Sequence, residues 1–194
     1  MKQLFLDVET TGLWPNVCAI TQIGYIYKDT SLGTTDKWNV KMRPHQDAKI
    51  EDKALEVTGE TPETLATYKD PKEVADEFVR RINAMANPYD KKDKVFFIGY
   101  NVRFDEDFIR AFLKRHTQHR TKPVWFGSYF WTPSLCVMNL AAYALTAERK
   151  TLPNFKLTTV YKHMFDKDLA DAHDAFADIE ATIAIHNKIC KIDA

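Results

Sequence analysis

Residues 95–113, VFFIGYNVRFDEDFIRAFL, join a continuously apolar run to an amphipathic pattern, and this junction decides the fold. The run from Val95 to Tyr100 is typical of a strand that is buried on both faces of a sheet. Directly after it, apolar residues at positions 108, 109, 112 and 113 recur with helical spacing. A buried strand that leads straight into a helix predicts an α/β layer architecture.

Three strand-like segments precede this junction. Residues 3–8, 19–28 and 36–42 are rich in β-branched and aromatic residues and are separated by turn signals. Apolar residues between positions 74 and 82 then predict an amphipathic helix that begins after Pro71 and stops before Asn87. Further helices are expected at 134–145, 155–164 and 173–190, and a further strand within the aromatic segment 125–131. This order predicts a mixed sheet covered by helices, in a single domain that spans residues 1–194.

Composition limits the classes of protein to which the chain can belong. The 194 residues carry 27 basic and 27 acidic side chains, so no global basic field attracts nucleic acid, and any polyanion must be bound locally. The three cysteines are widely spaced, which argues against disulfides and against a thiolate zinc site. No apolar run approaches the roughly 20 residues of a membrane-spanning helix. We therefore expect a soluble, cytoplasmic protein without a membrane partner.

Two acids lie at the end of the first predicted strand, in FLDVETTG (residues 5–12). Asp7 and Glu9 are two residues apart and therefore point to the same face of a strand. Two adjacent carboxylates raise each other's pKa unless a cation lies between them. Ligands that are all oxygen favour a hard ion such as Mg²⁺ or Mn²⁺. The alternative is that both are ordinary solvated acids at the edge of the sheet.

A third acid, Asp105, follows the buried strand of residues 95–100. If this strand and the first are parallel neighbours, Asp105 projects from the same end of the sheet as Asp7. Asp105 could instead cap the helix that follows it. Asn101 could likewise be only a turn residue.

A third motif, AHDAFAD (residues 172–178), opens the last predicted helix. Five residues correspond to about 500° of helical rotation, so His173 and Asp178 cannot share one face of a continuous helix. We therefore expect His173 at the mouth of the helix and Asp178 inside it. The alternative is a capping or surface role for both. Asp174, which flanks the motif positions, is interpreted as a helix-start acid.

Together, the three motifs predict a site for two metal ions. Four carboxylates from two strand ends and two helices would offset the charge of two divalent ions. A pair of such ions is a known device for displacement at phosphorus. A histidine supplies a proton acceptor near neutral pH.

The order Asp-x-Glu-Thr-x-Gly, Asn-x-x-Phe-Asp and His-x-Ala-x-x-Asp resembles the DnaQ-like exonucleases, the DEDDh branch of the DEDD superfamily. The resemblance runs from Phe5 to Thr182 and includes VTG at 57–59. It implies a ribonuclease H-like α/β fold, with a five-stranded mixed sheet flanked by helices. It also implies removal of nucleotides one at a time from a 3′ end, as nucleoside 5′-monophosphates. Many relatives begin the second motif with His-Asn, where this chain has Tyr100 and Asn101.

The resemblance implies a role for each motif residue. Asp7 would bridge two Mg²⁺ or Mn²⁺ ions, Glu9 and Asp178 would complete the ligands of the first ion, and Asp105 would serve the second. His173 would deprotonate the attacking water. The residues expected to contact the substrate are Thr10, Thr11, Leu13 and Asn101.

The expected substrate is the 3′ end of a single strand, because a neutral protein has little surface for a long duplex. DNA is favoured over RNA, although the sequence reveals no contact to a 2′-hydroxyl. Three alternatives stay open: an exoribonuclease of the same family, a proofreading subunit bound to a polymerase, and a nucleic-acid-binding protein that has lost the activity. A free-standing nuclease is favoured, since only 16 residues follow Asp178. A second copy of the chain is a further expected partner.

Two other segments have a chemical and a structural interpretation. Basic residues between Arg110 and Lys122 would steer a phosphate backbone, or they form an exposed helix face. The aromatic residues of segment 125–131 would stack on bases, or they pack in the core, which is the favoured interpretation.

Overall fold

A five-stranded mixed sheet forms the centre of the fold, in a computed structural model that describes residues 1–118, 124–170 and 174–192. The strand order is β3-β2-β1-β4-β5. The strands are β1 (Lys2–Thr10), β2 (Ile20–Asp29), β3 (Thr34–Lys41), β4 (Phe96–Gly99) and β5 (Leu135–Cys136). β1 pairs antiparallel with β2 and parallel with β4, so the carboxyl ends of β1 and β4 lie at the same edge. The predicted mixed sheet is confirmed.

Helices cover both faces of this sheet. Those within the described residues are α1 (Asp52–Thr58), α2 (Pro62–Ala66), α3 (Pro71–Met85), α4 (Arg103–His116), α5 (Phe126–Tyr129), α6 (Val137–Ala144), α7 (Leu157–Phe165) and α8 (Ala175–Cys190), with a 3₁₀ helix at Ala147–Lys150. In the ranges that the structure describes, no helix is both long and apolar enough to cross a membrane.

The alternation of side chains along β1 separates two apolar clusters. Leu4 and Leu6 belong to the cluster formed with α3, α4 and α5. Phe5, between them, belongs to the cluster formed with α6, α7 and α8. Successive residues of a strand point to opposite faces, so Asp7 and Glu9 continue the row that Phe5 begins, toward α8.

The sequence predicts a strand within the aromatic segment 125–131, but the structure has only an isolated parallel bridge there, between Phe130 and Val95. The structure has helix α5 there, and the rings of Phe126 and Phe130 both pack on Phe97, at centroid distances of 5.1 and 5.2 Å. Residues four apart on a strand are about 13 Å apart and could not both contact one ring, whereas a helical turn brings them together. The fifth strand is β5 instead, where Leu135 pairs with Ile98 at the start of the predicted helix 134–145.

Candidate active site

Asp7, Glu9 and Asp178 form an acidic cluster at the carboxyl end of β1. Each of the three offers one carboxylate oxygen, and these oxygens lie within 4.8 Å of one another. Asp7 and Glu9 are carried by β1, and Asp178 by the first turn of α8. All three side chains are partly buried. The fold therefore brings the acids of the first and third motifs together, as their sequence positions predict.

Gly24 allows α8 to approach the sheet at this point. It pairs with Asp7 across β1 and β2. A Cβ atom at position 24 would lie 3.0 Å from Cβ of Ala175 and 3.1 Å from Cδ1 of Ile179, which are both buried. Because these two residues flank Asp178 on α8, a side chain at position 24 would push Asp178 away from β1.

Asp105 lies beside the acidic cluster, in the first turn of α4, and is 2% exposed. Its Oδ1 accepts a hydrogen bond of 3.2 Å from the amide of Val8. The N-cap of α4 is Val102, which makes no side-chain capping hydrogen bond, so the alternative that Asp105 is the cap is wrong. A Cβ atom at Gly99 would lie 3.3 Å from Oδ2 of Asp105, and the glycine leaves that space to the carboxylate.

Burial and mutual repulsion raise the pKa values of these acids. Burial, with repulsion from Asp178, raises the pKa of Glu9 from 4.5 to about 8. Burial, followed by repulsion from Asp105 and Glu9, raises the pKa of Asp7 well above its ordinary value. Burial also raises the pKa of Asp105. Carboxyl groups that hold protons for these reasons release them when a cation binds between them.

The donor set fits a hard divalent cation. The three clustered donors are all carboxylate oxygens, the ligands that Mg²⁺ and Mn²⁺ prefer. Oxygens bound to one Mg²⁺ at about 2.1 Å lie no more than about 4.2 Å apart. The three donor oxygens lie within 4.8 Å of one another, so at most a small side-chain movement brings them inside that limit.

Asp174 is a neighbour of the cluster that the sequence analysis interprets only as a helix-start acid. As expected of a helix-start acid, it caps α8, and its side chain accepts hydrogen bonds from the amides of Phe176 and Ala177. It also lines a polar cleft together with Glu9 and Lys41, and its charge contributes to the raised pKa of Glu9. Its position directly after the third-motif histidine was the available signal.

An open cleft of about 300 Å³ begins at the acidic cluster. Glu9, Thr10, Val57 and Phe104 are among the residues that line it. Leu13 projects at its border and is 68% exposed. Thr10 donates a hydrogen bond of 2.8 Å to the carbonyl oxygen of Gly12 from its hydroxyl. The lining is largely apolar, with Glu9, Glu51 and Lys53 as its charged residues, and such a cleft suits the base and sugar of a nucleotide.

Thr11 and Asn101 have structural roles in the loops that border the site. Thr11 is fully buried, and its hydroxyl donates to the carbonyl of Lys49 and accepts from the amide of Ala19. Asn101 has a φ of 61°, a left-handed conformation that asparagine adopts more readily than most residues. The predicted turn at Asn101 is therefore present. Thr11 holds the loop after β1 in place through the two hydrogen bonds of its buried hydroxyl.

Residues 171–173 lie outside the described residues, and His173 is among them. Its predicted role as a proton acceptor stays a prediction.

Tyr100 stands where many members of the family have histidine, and it lies within the described residues. Its hydroxyl donates a hydrogen bond of 2.8 Å to the carbonyl of Phe155, which ties the end of β4 to the segment before α7.

The basic segment from Arg110 to Lys122 is described as far as residue 118. Within it, Arg110 forms an ion pair of 2.7 Å with Glu106 one helical turn away, and its guanidinium lies 4.1 Å from the ring centroid of Phe126. Arg110 is therefore paired within α4, which also carries Lys114 and Arg115.

Comparison with known proteins identifies relatives over nearly the whole chain. The sequence model of the exonuclease family RNase_T matches residues 4–186. Exodeoxyribonuclease I of Escherichia coli K12 is 31% identical over 191 residues, a match that covers 94% of this chain and 38% of that protein. The PolC-type DNA polymerase III of Thermotoga maritima is 31% identical over 110 residues, which cover 57% of this chain and 7% of that protein.

Solved structures show the same fold. E. coli exonuclease I in complex with a dA16 oligonucleotide aligns with a TM-score of 0.73 and 26% identity, over 98% of this chain and 40% of that chain. The zinc-bound complex of the same enzyme with single-stranded DNA aligns with a TM-score of 0.72 and 25% identity, over 98% and 40%. The predicted ribonuclease H-like α/β fold is thereby confirmed. This chain spans about two fifths of the length of E. coli exonuclease I.

Proposed function

Since this chain belongs to the RNase_T exonuclease family, we propose that it is a metal-dependent 3′-5′ exonuclease that acts on single-stranded DNA and releases nucleoside 5′-monophosphates. The observation that carries this proposal is the convergence of Asp7, Glu9 and Asp178 at the carboxyl end of β1, with Asp105 beside them. A relative that matches 94% of this chain is an exodeoxyribonuclease, and it has been solved in complex with single-stranded DNA, which supports DNA as the substrate. We treat residues 1–194 as one exonuclease domain, because both apolar clusters are built on β1.

The proposed cofactor is a pair of Mg²⁺ or Mn²⁺ ions held by Asp7, Glu9, Asp105 and Asp178. Bound divalent ions would activate a water and stabilise the charge on the leaving oxygen. The chain contributes the four carboxylates and their positions. Glu9, with its pKa of about 8, would give up its proton on binding, so the affinity for the ions should rise with pH.

We propose that the apolar cleft holds the terminal nucleotide. Leu13 and Val57, which are 68% and 47% exposed, would pack against its base and sugar. Thr10 lines the same cleft and carries a hydroxyl that could accept from the 3′-hydroxyl of the sugar. Asn101 is exposed at the end of β4 and is retained as a substrate contact. Thr11 is not retained, because its hydroxyl is buried and engaged by Lys49 and Ala19.

His173 is the proposed proton acceptor for the attacking water. An ordinary histidine has a pKa of about 6.5 and is largely unprotonated at neutral pH. His173 immediately precedes Asp174, and Asp174 shares a polar cleft with Glu9, which supports a place for this histidine near the acids. The water oxygen would bond to phosphorus as the bond to the 3′-oxygen of the preceding nucleotide breaks, and that oxygen takes up a proton.

The test is digestion of 5′-labelled single-stranded DNA and RNA of the same sequence with Mg²⁺ or Mn²⁺. We expect a ladder that shortens from the 3′ end with wild type, and no ladder with Asp7→Ala or His173→Ala. Faster cleavage of RNA would assign the chain to the exoribonuclease alternative. Internal cuts, or equal rates in the variants, would refute the proposal.

A second candidate is the same reaction carried out beside a polymerase. The match to PolC-type DNA polymerase III over 57% of this chain favours it. In that case the isolated chain would cleave slowly, and a replicative polymerase added to the digestion would increase the rate.

A further inference from the structure

Trp14 is a large apolar side chain exposed on the surface, and Leu13, which precedes it in the chain, lines the proposed nucleotide cleft. Trp14 is 65% exposed, on the loop between β1 and β2. Leu13 beside it is 68% exposed, and Val17 on the same loop is 47% exposed. Ile50, on the neighbouring segment, is 38% exposed. These exposed apolar residues lie on two segments that a backbone hydrogen bond from Lys49 to Val17 joins, and such a group of exposed apolar residues indicates a binding surface.

The loop that carries Trp14 is held in place by backbone hydrogen bonds. The carbonyl of Trp14 accepts hydrogen bonds from the amides of Val17 and Cys18, at 3.1 and 2.8 Å. The amide of Lys49 donates to the carbonyl of Val17 at 2.7 Å, and Thr11 joins the base of the loop to Ala19. The indole is therefore presented by an ordered loop, which reduces the conformational entropy lost when a ligand binds.

The surroundings of Trp14 suit a nucleic acid strand. Leu13, which precedes Trp14 in the chain, lines the cleft that contains Glu9, so Trp14 directly follows a residue of the proposed terminal-nucleotide site. Arg115 donates a hydrogen bond of 3.4 Å to the carbonyl of Asn16, two residues beyond Trp14. Trp14 therefore shares its loop with a contact to a cation, and proteins combine exposed aromatic rings with cations to bind single-stranded nucleic acids, with bases on the ring and phosphates near the charge.

We propose that Trp14 is a stacking site for a base upstream of the terminal nucleotide of single-stranded DNA. The inference rests on the proposed function, because the path of the strand is set by a terminal nucleotide in the cleft at Leu13. Every base has a flat face, so this site would bind the strand without selecting its sequence. Arg115 would neutralise a phosphate of the same strand.

The chain offers a matched control in Trp125. This tryptophan is 66% exposed, close to the 65% of Trp14. It lines a different cavity, with Arg110 and Lys114 of α4, and does not line the cleft that contains Glu9. Trp125→Ala removes as much exposed aromatic surface as Trp14→Ala, away from the proposed path of the strand.

The first measurement is binding of a fluorescently labelled oligothymidylate of about 12 nucleotides, in the presence of EDTA, by fluorescence anisotropy. Trp14→Ala should raise Kd about tenfold, Trp14→Phe should stay within about threefold of wild type, and Trp125→Ala within about twofold. Equal Kd values for wild type and Trp14→Ala, or equal losses in the two alanine variants, would overturn the proposal.

The second measurement separates this site from the active site. The p-nitrophenyl ester of thymidine 5′-monophosphate has no upstream base, so it reports only on the terminal site. The ratio of kcat/KM for the oligonucleotide to kcat/KM for the ester should fall about tenfold in Trp14→Ala. If wild type cleaves both substrates and the ratio is the same in Trp14→Ala, the role of Trp14 is refuted but the proposed function is not. A wild type that cleaves neither substrate refutes the proposed function, and the binding measurement then decides on Trp14 by itself.

Discussion

The amide of Val8 donates a hydrogen bond of 3.2 Å to Oδ1 of Asp105, and this contact joins the strand of the first motif to the helix of the second. It fixes a carboxylate that is 2% exposed beside the acidic cluster of Asp7, Glu9 and Asp178. The same carboxylate contributes to the raised pKa of Asp7. Asp105 therefore adds negative charge to the site and holds α4 against β1.

Asp105→Asn separates these two contributions. The amide oxygen can still accept from Val8, whereas the charge is lost, so we expect a fold at least as stable as wild type and a cleavage rate lower by about 100-fold. Asp105→Ala should also lower the free energy of unfolding, by about 1–3 kcal/mol, because the amide of Val8 loses its partner. Thermal unfolding and the digestion rate measure the two effects. A rate equal to that of wild type in Asp105→Asn would contradict the role of this acid.

Gly24→Val should displace α8 and with it Asp178. A Cβ atom at position 24 already lies 3.0 Å from Ala175, so the added side chain overpacks the contact and costs about 1–3 kcal/mol. Cleavage should fall more than stability alone explains, because an acid moves out of the cluster. Gly127→Ala is the control, since a Cβ there meets no atom within 4 Å. Full activity in a destabilised Gly24→Val protein would count against this account of the contact.

Without divalent ions, the stability of the protein should fall as the pH rises from about 5 to about 8. The pKa of Glu9 is 4.5 ordinarily and about 8 in the fold, so the folded state holds a proton in this range that the unfolded state has lost. Stability from such a group is complete below the ordinary pKa and is lost as the pH passes through the folded value. One group contributes at most about 1.4 kcal/mol per pH unit.

Urea unfolding in EDTA at several pH values checks this dependence. Glu9→Gln should reduce the slope, because the amide does not titrate, and saturating Mg²⁺ should reduce it in wild type. Glu180→Gln is the control, since Glu180 lies on α8 with a side chain that is 62% exposed. If Glu9→Gln and wild type had the same slope, the raised pKa would not belong to Glu9.

Tyr100→Phe should lower the free energy of unfolding by about 1 kcal/mol, because the carbonyl of Phe155 loses its hydrogen bond to the hydroxyl. The phenol ring stays, so packing against the surrounding cluster is retained. Tyr143→Phe provides the comparison, since Tyr143 is 84% exposed. Chemical denaturation measures the difference, and equal midpoints for the two variants would show that the hydrogen bond contributes nothing.

Much of the fold and the acidic cluster follows from spacing along the chain. Asp7 and Glu9 share a face because they are two residues apart on a strand. Asp105 reaches the same end of the sheet because a buried strand precedes it and pairs parallel with β1. Periodicity along the chain carries this information, because the apolar or polar character of each residue reports which face of its strand it occupies.

Other features depend on partners that are distant in the sequence. Phe126 and Phe130 are as compatible with a strand as with a helix, and their shared contact with Phe97 decides for the helix. In the sequence, Thr11 resembles a surface residue of a turn. In the fold, its hydroxyl donates a hydrogen bond to the carbonyl of Lys49. Such contacts arise from tertiary packing, which no local pattern encodes.

The most direct test of the central claim is isothermal titration calorimetry with Mn²⁺ in the absence of nucleic acid. Wild type should bind two ions per chain with saturation, Asp7→Asn should lose this binding, and Glu180→Gln should retain it. Absence of saturable binding by wild type, or equal binding by Asp7→Asn, would contradict a metal site formed by the acids of the three motifs.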